Sequence, residues 1–163
     1  MIVAVVSDTH MPRGLRRLPD ECVERLTHAE LILHAGDIVL RSFLDELLAL
    51  GPPVAAIHGN MDEEELQLKL PGERIVDVEE ARIGMIHDPG PAAGRAARLT
   101  ARFPGCDAVV YGHTHEPRAD RHGDVWLLNP GSPTERRRAP HRSMLELVVE
   151  GRELRPTLVT FGP

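Results

Sequence analysis

Ile2-Val3-Ala4-Val5-Val6-Ser7-Asp8-Thr9-His10 opens the chain with five apolar residues that run straight into a carboxylate and an imidazole. An apolar run of this length, without polar alternation, reads as a strand buried on both faces. The same pattern recurs downstream. Leu31-Ile32-Leu33 leads to Ala35-Gly36-Asp37, Val54–Ile57 to Gly59-Asn60, Arg82–Ile86 to His87-Asp88, and Ala108–Tyr111 to Gly112-His113-Thr114-His115. Functional groups of open α/β sheets collect beyond the carboxyl ends of the strands. Asp8, Asp37, Asn60, His87 and His113 are therefore expected on one rim, with glycine before three of them where tight turns or close backbone approach are needed.

The segments between these strands complete the outline. Pro19, with Asp20 and Glu21 behind it, starts a short helix that ends near His28. Leu40, Phe43, Leu44, Leu47 and Leu48 follow helical spacing until Gly51-Pro52-Pro53 stops them. Glu63-Glu64-Glu65 reads as a solvated helix start, and a further helix is expected from Ala92 to Phe103. Arg74–Val78 with Arg82–Ile86, Arg118–Asp120 with Val125–Leu128, and Met144–Val149 with Leu154–Thr160 read as hairpins. A βαβ half followed by a hairpin-rich half implies two facing mixed β-sheets with helices outside. The 163 residues contain no repeat or linker that would divide them, so one domain over 1–163 is expected, of a size that buries a proper core.

The ligand inventory is two carboxylates, one amide and four imidazoles, with no thiolate. Oxygen and nitrogen donors of this kind suit borderline-hard divalent metals such as manganese, iron or zinc. A carboxylate has two oxygens with which to bridge two ions, which makes Asp8 or Asp37 the candidate shared ligand. Each residue alone has an ordinary structural explanation, since Asp and Asn often end strands by bonding the turn. Seven metal-type residues at one end of a sheet do not.

Taken in order, D-x-H, GD, GN, a single His after a strand and GHTH make the chain resemble the calcineurin-like metallophosphoesterases, and within them the small prokaryotic phosphodiesterase branch often called YfcE-like. Asn129-Pro130-Gly131-Ser132 matches the branch as well. The resemblance implies an αββα four-layer sandwich. It also implies one metal on Asp8, His10 and His115, a second on Asn60, His87 and His113, and Asp37 between them, with Asp37, Asn60 and His87 assigned to catalysis as well. Two divalent ions are then expected, manganese by preference, with nickel, cobalt, iron or zinc as alternatives. Such a pair acidifies a bridging water for in-line attack on phosphorus, so the expected activity is hydrolysis of small phosphate esters, foremost phosphodiesters.

Two positions depart from wider relatives. Where many carry a histidine after GN, read as the acid for the leaving oxygen, this chain has Met61, which cannot donate a proton. That task is left to water or Asp62. Where relatives show His-Gly-His, this chain has His87-Asp88-Pro89. Arg136, Arg137 and Arg138 follow the Asn-Pro-Gly-Ser segment and are candidates to hold substrate phosphate, Arg137 matching the branch best. A solvated loop is the competing reading of that run.

Composition narrows the remaining classes. The only two asparagines, Asn60 and Asn129, both fall inside motif segments, as if a neutral amide were required there. A net charge of -6 argues against broad nucleic-acid binding. No apolar run reaches membrane-spanning length, no leader precedes the first strand, and Cys22 and Cys106 read as small buried thiols of a reducing compartment. A cytoplasmic enzyme is expected, with homo-oligomerisation left open. His28, His122 and His141 read as surface residues, and His34 and His58 as packing or support for neighbouring ligands. The alternatives are a nucleotide or monoester phosphatase and a non-catalytic scaffold, since the retromer complex contains a protein-binding subunit of the same fold.

Overall fold

The alternation of faces along β1 (Ile2–Val6) explains why its sequence is apolar throughout. In the computed structural model, which describes residues 1–163, Val3 and Val5 lie in a core between two sheets, whereas Ala4 and Val6 lie in a second core beneath helices. Successive side chains of a strand point to opposite faces. A strand covered on both sides has no solvent face on which to place polar residues.

The chain continues through α1 (Asp20–His28), β2 (Leu31–His34), α2 (Arg41–Ala49), β3 (Val54–Ala56), α3 (Glu64–Lys69), β4 (Glu73–Val78), β5 (Ala81–Ile86) and α4 (Arg95–Arg102). It ends with β6 (Ala108–Val110), β7 (Arg118–His122), β8 (Val125–Asn129), β9 (Ser143–Glu150) and β10 (Glu153–Thr160). The strands form two five-stranded sheets, β10-β9-β1-β2-β3 and β4-β5-β6-β8-β7. Both are mixed: the first is parallel along β1-β2-β3 and antiparallel along β1-β9-β10, and the second has parallel β5-β6-β8 at its centre and an antiparallel hairpin at each margin.

Three cores define four layers. Val5, Leu33, Met85, Val110 and Leu147 fill the space between the sheets. Cys22 and Leu26 of α1, with Phe43, Leu44 and Leu47 of α2, cover the outer face of the first sheet over Ile32. Leu99 and Phe103 cover the second over Val109 and Leu127. The expected αββα sandwich is thus the observed one.

Register brings the strand ends level. Val6 pairs with His34, and His34 with Ala56, along the parallel β1-β2-β3. In the second sheet Met85 pairs with Val110, and Val110 with Leu128, along β5-β6-β8. The loops that follow these strands therefore emerge on one rim.

Local expectations are shifted most at one element. The helix expected from Ala92 begins only at Arg95, because Gly94 adopts φ 71°. The preceding residues form a loop strapped to the helix: Arg98 donates to the carbonyls of Pro89 and Pro91, and Arg95 to that of Gly90. No helix is long and apolar enough to cross a membrane.

Candidate metal centre

Five of the eight non-glycine residues with positive φ are Asp8, His10, Asp37, His113 and His115. This backbone region costs an L-residue roughly 1–3 kcal/mol and persists where surrounding structure enforces it, commonly at functional sites. Here it turns consecutive loop side chains inward rather than along the strand direction.

Each carboxylate is anchored by one oxygen and presents the other. Asp8 Oδ2 accepts from Ser7 Oγ at 2.7 Å and from the His113 N–H at 3.0 Å. Its Oδ1 faces His115 Nε2 at 3.3 Å, with the Nε2 atoms of His10 and His87 each at 3.8 Å. Asp37 Oδ1 accepts the Met61 N–H at 2.9 Å, while Oδ2 lies 3.2 Å from His87 Nε2 and 3.5 Å from His10 Nε2. Asp37 thus has one free oxygen rather than the two anticipated for a bridge.

The imidazoles are oriented by their other nitrogens. His87 Nδ1 donates to the Ala35 carbonyl at 2.7 Å and His115 Nδ1 to that of Glu135 at 2.6 Å. Both Nε2 lone pairs therefore point into the cluster. Asp8, His10 and His115 form one group able to hold an ion, and Asp8, Asp37 and His87 another. Asn60 and His113 stand at the more exposed side, with Asn60 Oδ1 3.3 Å from His113 Nδ1 and the His113 ring 5.4 Å from that of His87.

Asp8 Oδ1 and the Nε2 atoms of His10, His87 and His115 are buried and make no hydrogen bond. Buried polar atoms are normally paired, so four orphans facing one another fit a bound cation. The electrostatics agree. Burial alone would raise the Asp8 carboxyl, but the imidazoles of His10 and His115 outweigh it and hold Asp8 well below the usual carboxylate range. Burial likewise opposes protonation of His87, yet Asp37 and Asp8 push its pKa up to about 9. In the metal-free protein the site attracts positive charge.

The glycines before the ligands are required by packing between loops. A Cβ on Gly59 would collide with Asp37 Oδ1, and one on Gly112 with Ser7 Oγ and Asp8 Oδ2.

A shell of supporting residues carries roles that the linear pattern does not display. Asp62, 4% exposed, accepts the N–H groups of Gly59, Asp37 and Val39 at 2.7, 3.1 and 2.6 Å. The expectation that Asp62 could supply a proton to a leaving group is corrected here, because both its oxygens face backbone donors. His34 receives the Gly36 N–H on Nδ1 and donates through Nε2 to Thr9 Oγ1 at 2.9 Å, which makes it a tie between two ligand loops. Asn129 bonds the Gly112 carbonyl and Thr114 Oγ1, and Ser132 Oγ donates to the Asp8 carbonyl. The Asn129-Pro130-Gly131-Ser132 segment already singled out both residues in the sequence, but not what either would bond. Of the three arginines, Arg137 donates to the His113 carbonyl at 3.3 Å, Arg136 turns back to Ala139, and Arg138 is exposed without a partner.

The profile of the calcineurin-like phosphoesterase superfamily domain matches residues 1–152. The chain belongs to that family. A probable metallophosphoesterase of Methanothermobacter thermautotrophicus is 35% identical over 164 residues, covering 99% of this chain and 94% of the relative. One from Methanocaldococcus jannaschii is 38% identical over 153 residues, covering 92% and 77%. Among solved structures, Entamoeba histolytica Vps29 in complex with zinc superposes with a TM-score of 0.79 at 22% identity, covering 98% of this chain and 99% of that one. A structure described as a novel archaeal phosphodiesterase superposes with a TM-score of 0.74 at 22% identity, covering 98% and 100%. These two likenesses establish the fold.

Proposed function

We propose that this metallophosphoesterase is a phosphodiesterase working with two divalent metal ions, manganese by preference, and that residues 1–163 form one catalytic unit. The observation that carries the reading is the set of four buried, unpartnered ligand atoms on Asp8, His10, His87 and His115, two of which, on His10 and His87, face the free oxygen of Asp37. His10 and His115 with Asp8 would hold one ion, and His87, His113 and Asn60 the other, with Asp37 Oδ2 in reach of both groups. Two bound cations would supply Lewis acidity and an activated water for in-line displacement at phosphorus.

The protein's own part is placement and charge. Two carboxylates and four neutral imidazoles leave a dicationic pair with net positive charge, which suits an anionic ester. Arg137, held on the His113 carbonyl and otherwise exposed, would donate to a phosphate oxygen of the substrate. Met61 is 53% exposed and offers no proton, and Asp62 is turned to the backbone. The leaving oxygen must then be protonated from solvent, so esters of acidic alcohols should be the better substrates.

A scaffold role on the same fold gives the five buried ligand residues no task. The phosphodiesterase name of the archaeal structure points the same way as the site. The test is turnover of aryl and alkyl phosphate mono- and diesters by protein loaded with manganese, nickel, cobalt, iron or zinc. Aryl diesters are expected to lead, with Met61→His flattening the dependence of rate on leaving-group pKa. Two bound ions without turnover of any ester would sink the reading.

A further inference from the structure

A cleft of about 520 Å³ opens beside the centre, with Asn60 and His87 in its wall. Its remaining walls are His58, Gly59, Gln67, Gly72, Glu73, Ile86 and Asp88. A pocket of this size, continuous with reactive groups, is where the body of a small substrate is held.

The charges of this cleft differ from those on the Arg137 side of the centre. No lysine or arginine lines it. Glu73 is already paired with Arg102, whose Nη2 lies 2.7 Å from Oε1. Arg98, in the adjoining cavity, spends its guanidinium on the carbonyls of Pro89 and Pro91. Asp88 is exposed, accepts the Gly90 N–H through Oδ1 at 2.8 Å, and has no ion-pair partner, so Oδ2 is free to meet a ligand. His58 and Gln67 add polar groups, the Gln67 amide donating to the Asp62 carbonyl.

We propose that this cleft holds one alcohol group of the phosphodiester, that it favours neutral or cationic alcohols bearing hydroxyl or amino groups over those bearing a second phosphate or carboxylate, and that Asp88 is the specificity-determining residue. The inference rests on the phosphoesterase reading above. A second anion placed here would face an unpaired carboxylate, while the nearest guanidiniums, of Arg98 and Arg102, line the adjoining cavity and are held by the Pro89 and Pro91 carbonyls and by Glu73; a quaternary or primary ammonium would be attracted by the same carboxylate. Discrimination of this kind works by penalising the wrong substrate as much as by holding the right one. The basic side of the centre, at Arg137, is left for the phosphoryl oxygens.

The test uses the metal-loaded protein and three 4-nitrophenyl phosphodiesters whose second alcohol is choline, glycerol or 3-hydroxypropionate. The choline and glycerol esters should have kcat/KM at least about tenfold above the carboxylate-bearing ester, equivalent to about 1.4 kcal/mol. Asp88→Asn keeps the oxygen that receives the Gly90 N–H and removes the charge. It should narrow the choline-to-carboxylate ratio at least threefold, and a ratio is insensitive to folding yield or metal loading. Independently of turnover, choline phosphate titrated into zinc-loaded protein should shift the backbone amide resonances of Gly72, Glu73 and Asp88. Equal kcat/KM for the three esters, an unchanged ratio in Asp88→Asn, or shifts confined to the Arg137 loop would overturn the cleft assignment alone. Absence of turnover on every ester would overturn the phosphoesterase reading beneath it, and absence of shifts at Gly72 and Asp88 would then remove the cleft too.

Discussion

The carboxylate of Asp62 accepts the backbone N–H of Asp37 at 3.1 Å, and the same side chain binds the N–H groups of Gly59 and Val39. One buried anion thereby fixes the loop that carries Asp37 against the loop that carries Asn60. Asp62→Ala would leave three backbone donors without acceptors, each costing about 1–3 kcal/mol if it stays buried. Denaturant unfolding should show a loss of about 3 kcal/mol or more, accompanied by weaker metal binding. Asp62→Asn retains one acceptor oxygen and should lose less. A variant Asp62→Ala as stable as the parent would refute the anchoring role.

Asp37 and Asn60 should differ in how many ions depend on them. Asp37 Oδ2 reaches histidines of both proposed groups, at 3.2 and 3.5 Å, whereas Asn60 Oδ1 meets the imidazole of His113 in one of them. Asp37→Ala is expected to lose both metals and turnover together, and Asn60→Ala to retain about one ion. Metal content per chain by mass spectrometry decides it, with two tightly held ions in Asp37→Ala as the contrary result.

Arg137 should act on substrate and not on metal. A charge-assisted hydrogen bond to phosphate is worth about 1.5–3 kcal/mol, so Arg137→Ala should lower kcat/KM by about tenfold to a hundredfold with metal content unchanged. Arg138→Ala, which removes an exposed and unpartnered side chain, should be neutral. Equal effects in both variants would return the run to an ordinary solvated loop.

The pH dependence of the metal-free protein should carry the mark of His34. Burial pulls its pKa from 6.5 down to about 3. An unfolded His34 takes up a proton below pH 6.5 while the folded one resists, so the unfolded state binds more protons in that window and stability falls as pH drops from 6.5 towards 3. One proton contributes a slope of about 1.4 kcal/mol per pH unit. His34→Gln should flatten the slope between pH 6 and 4.5, above the range where Asp8 and Asp37 titrate, and lose stability at pH 8 with its bonds to Thr9 and Gly36. An unaltered slope would assign the acid sensitivity elsewhere.

Much of the sandwich was legible because burial on both faces leaves a direct trace: β1, β2 and β6 are apolar at every position but His34, which is itself wholly buried. The start of α4 was not legible, because Ala92 and Ala93 favour helix locally while Gly94 and the two arginine straps hold that stretch as a loop. Leu48 also fitted the helical stripe of α2, yet it is 47% exposed, since the stripe was one residue wider than the surface it covers.

The sequence by itself determined which side chains stand at the strand ends, since an apolar run followed by a ligand residue is a local pattern that needs no partner to be read. Tertiary structure decided what those side chains are free to do. Whether Asp8 and Asp37 offer one oxygen or two depends on donors 105 and 24 residues away, at His113 and Met61. The reach of Arg137, the turning of Asp62 towards the backbone and the charge of the cleft beside His87 likewise arise from contacts between distant loops. Those contacts are set by sheet register and by the packing of one sheet on the other. Both are sums over many weak interactions along the whole chain, and no single segment encodes them.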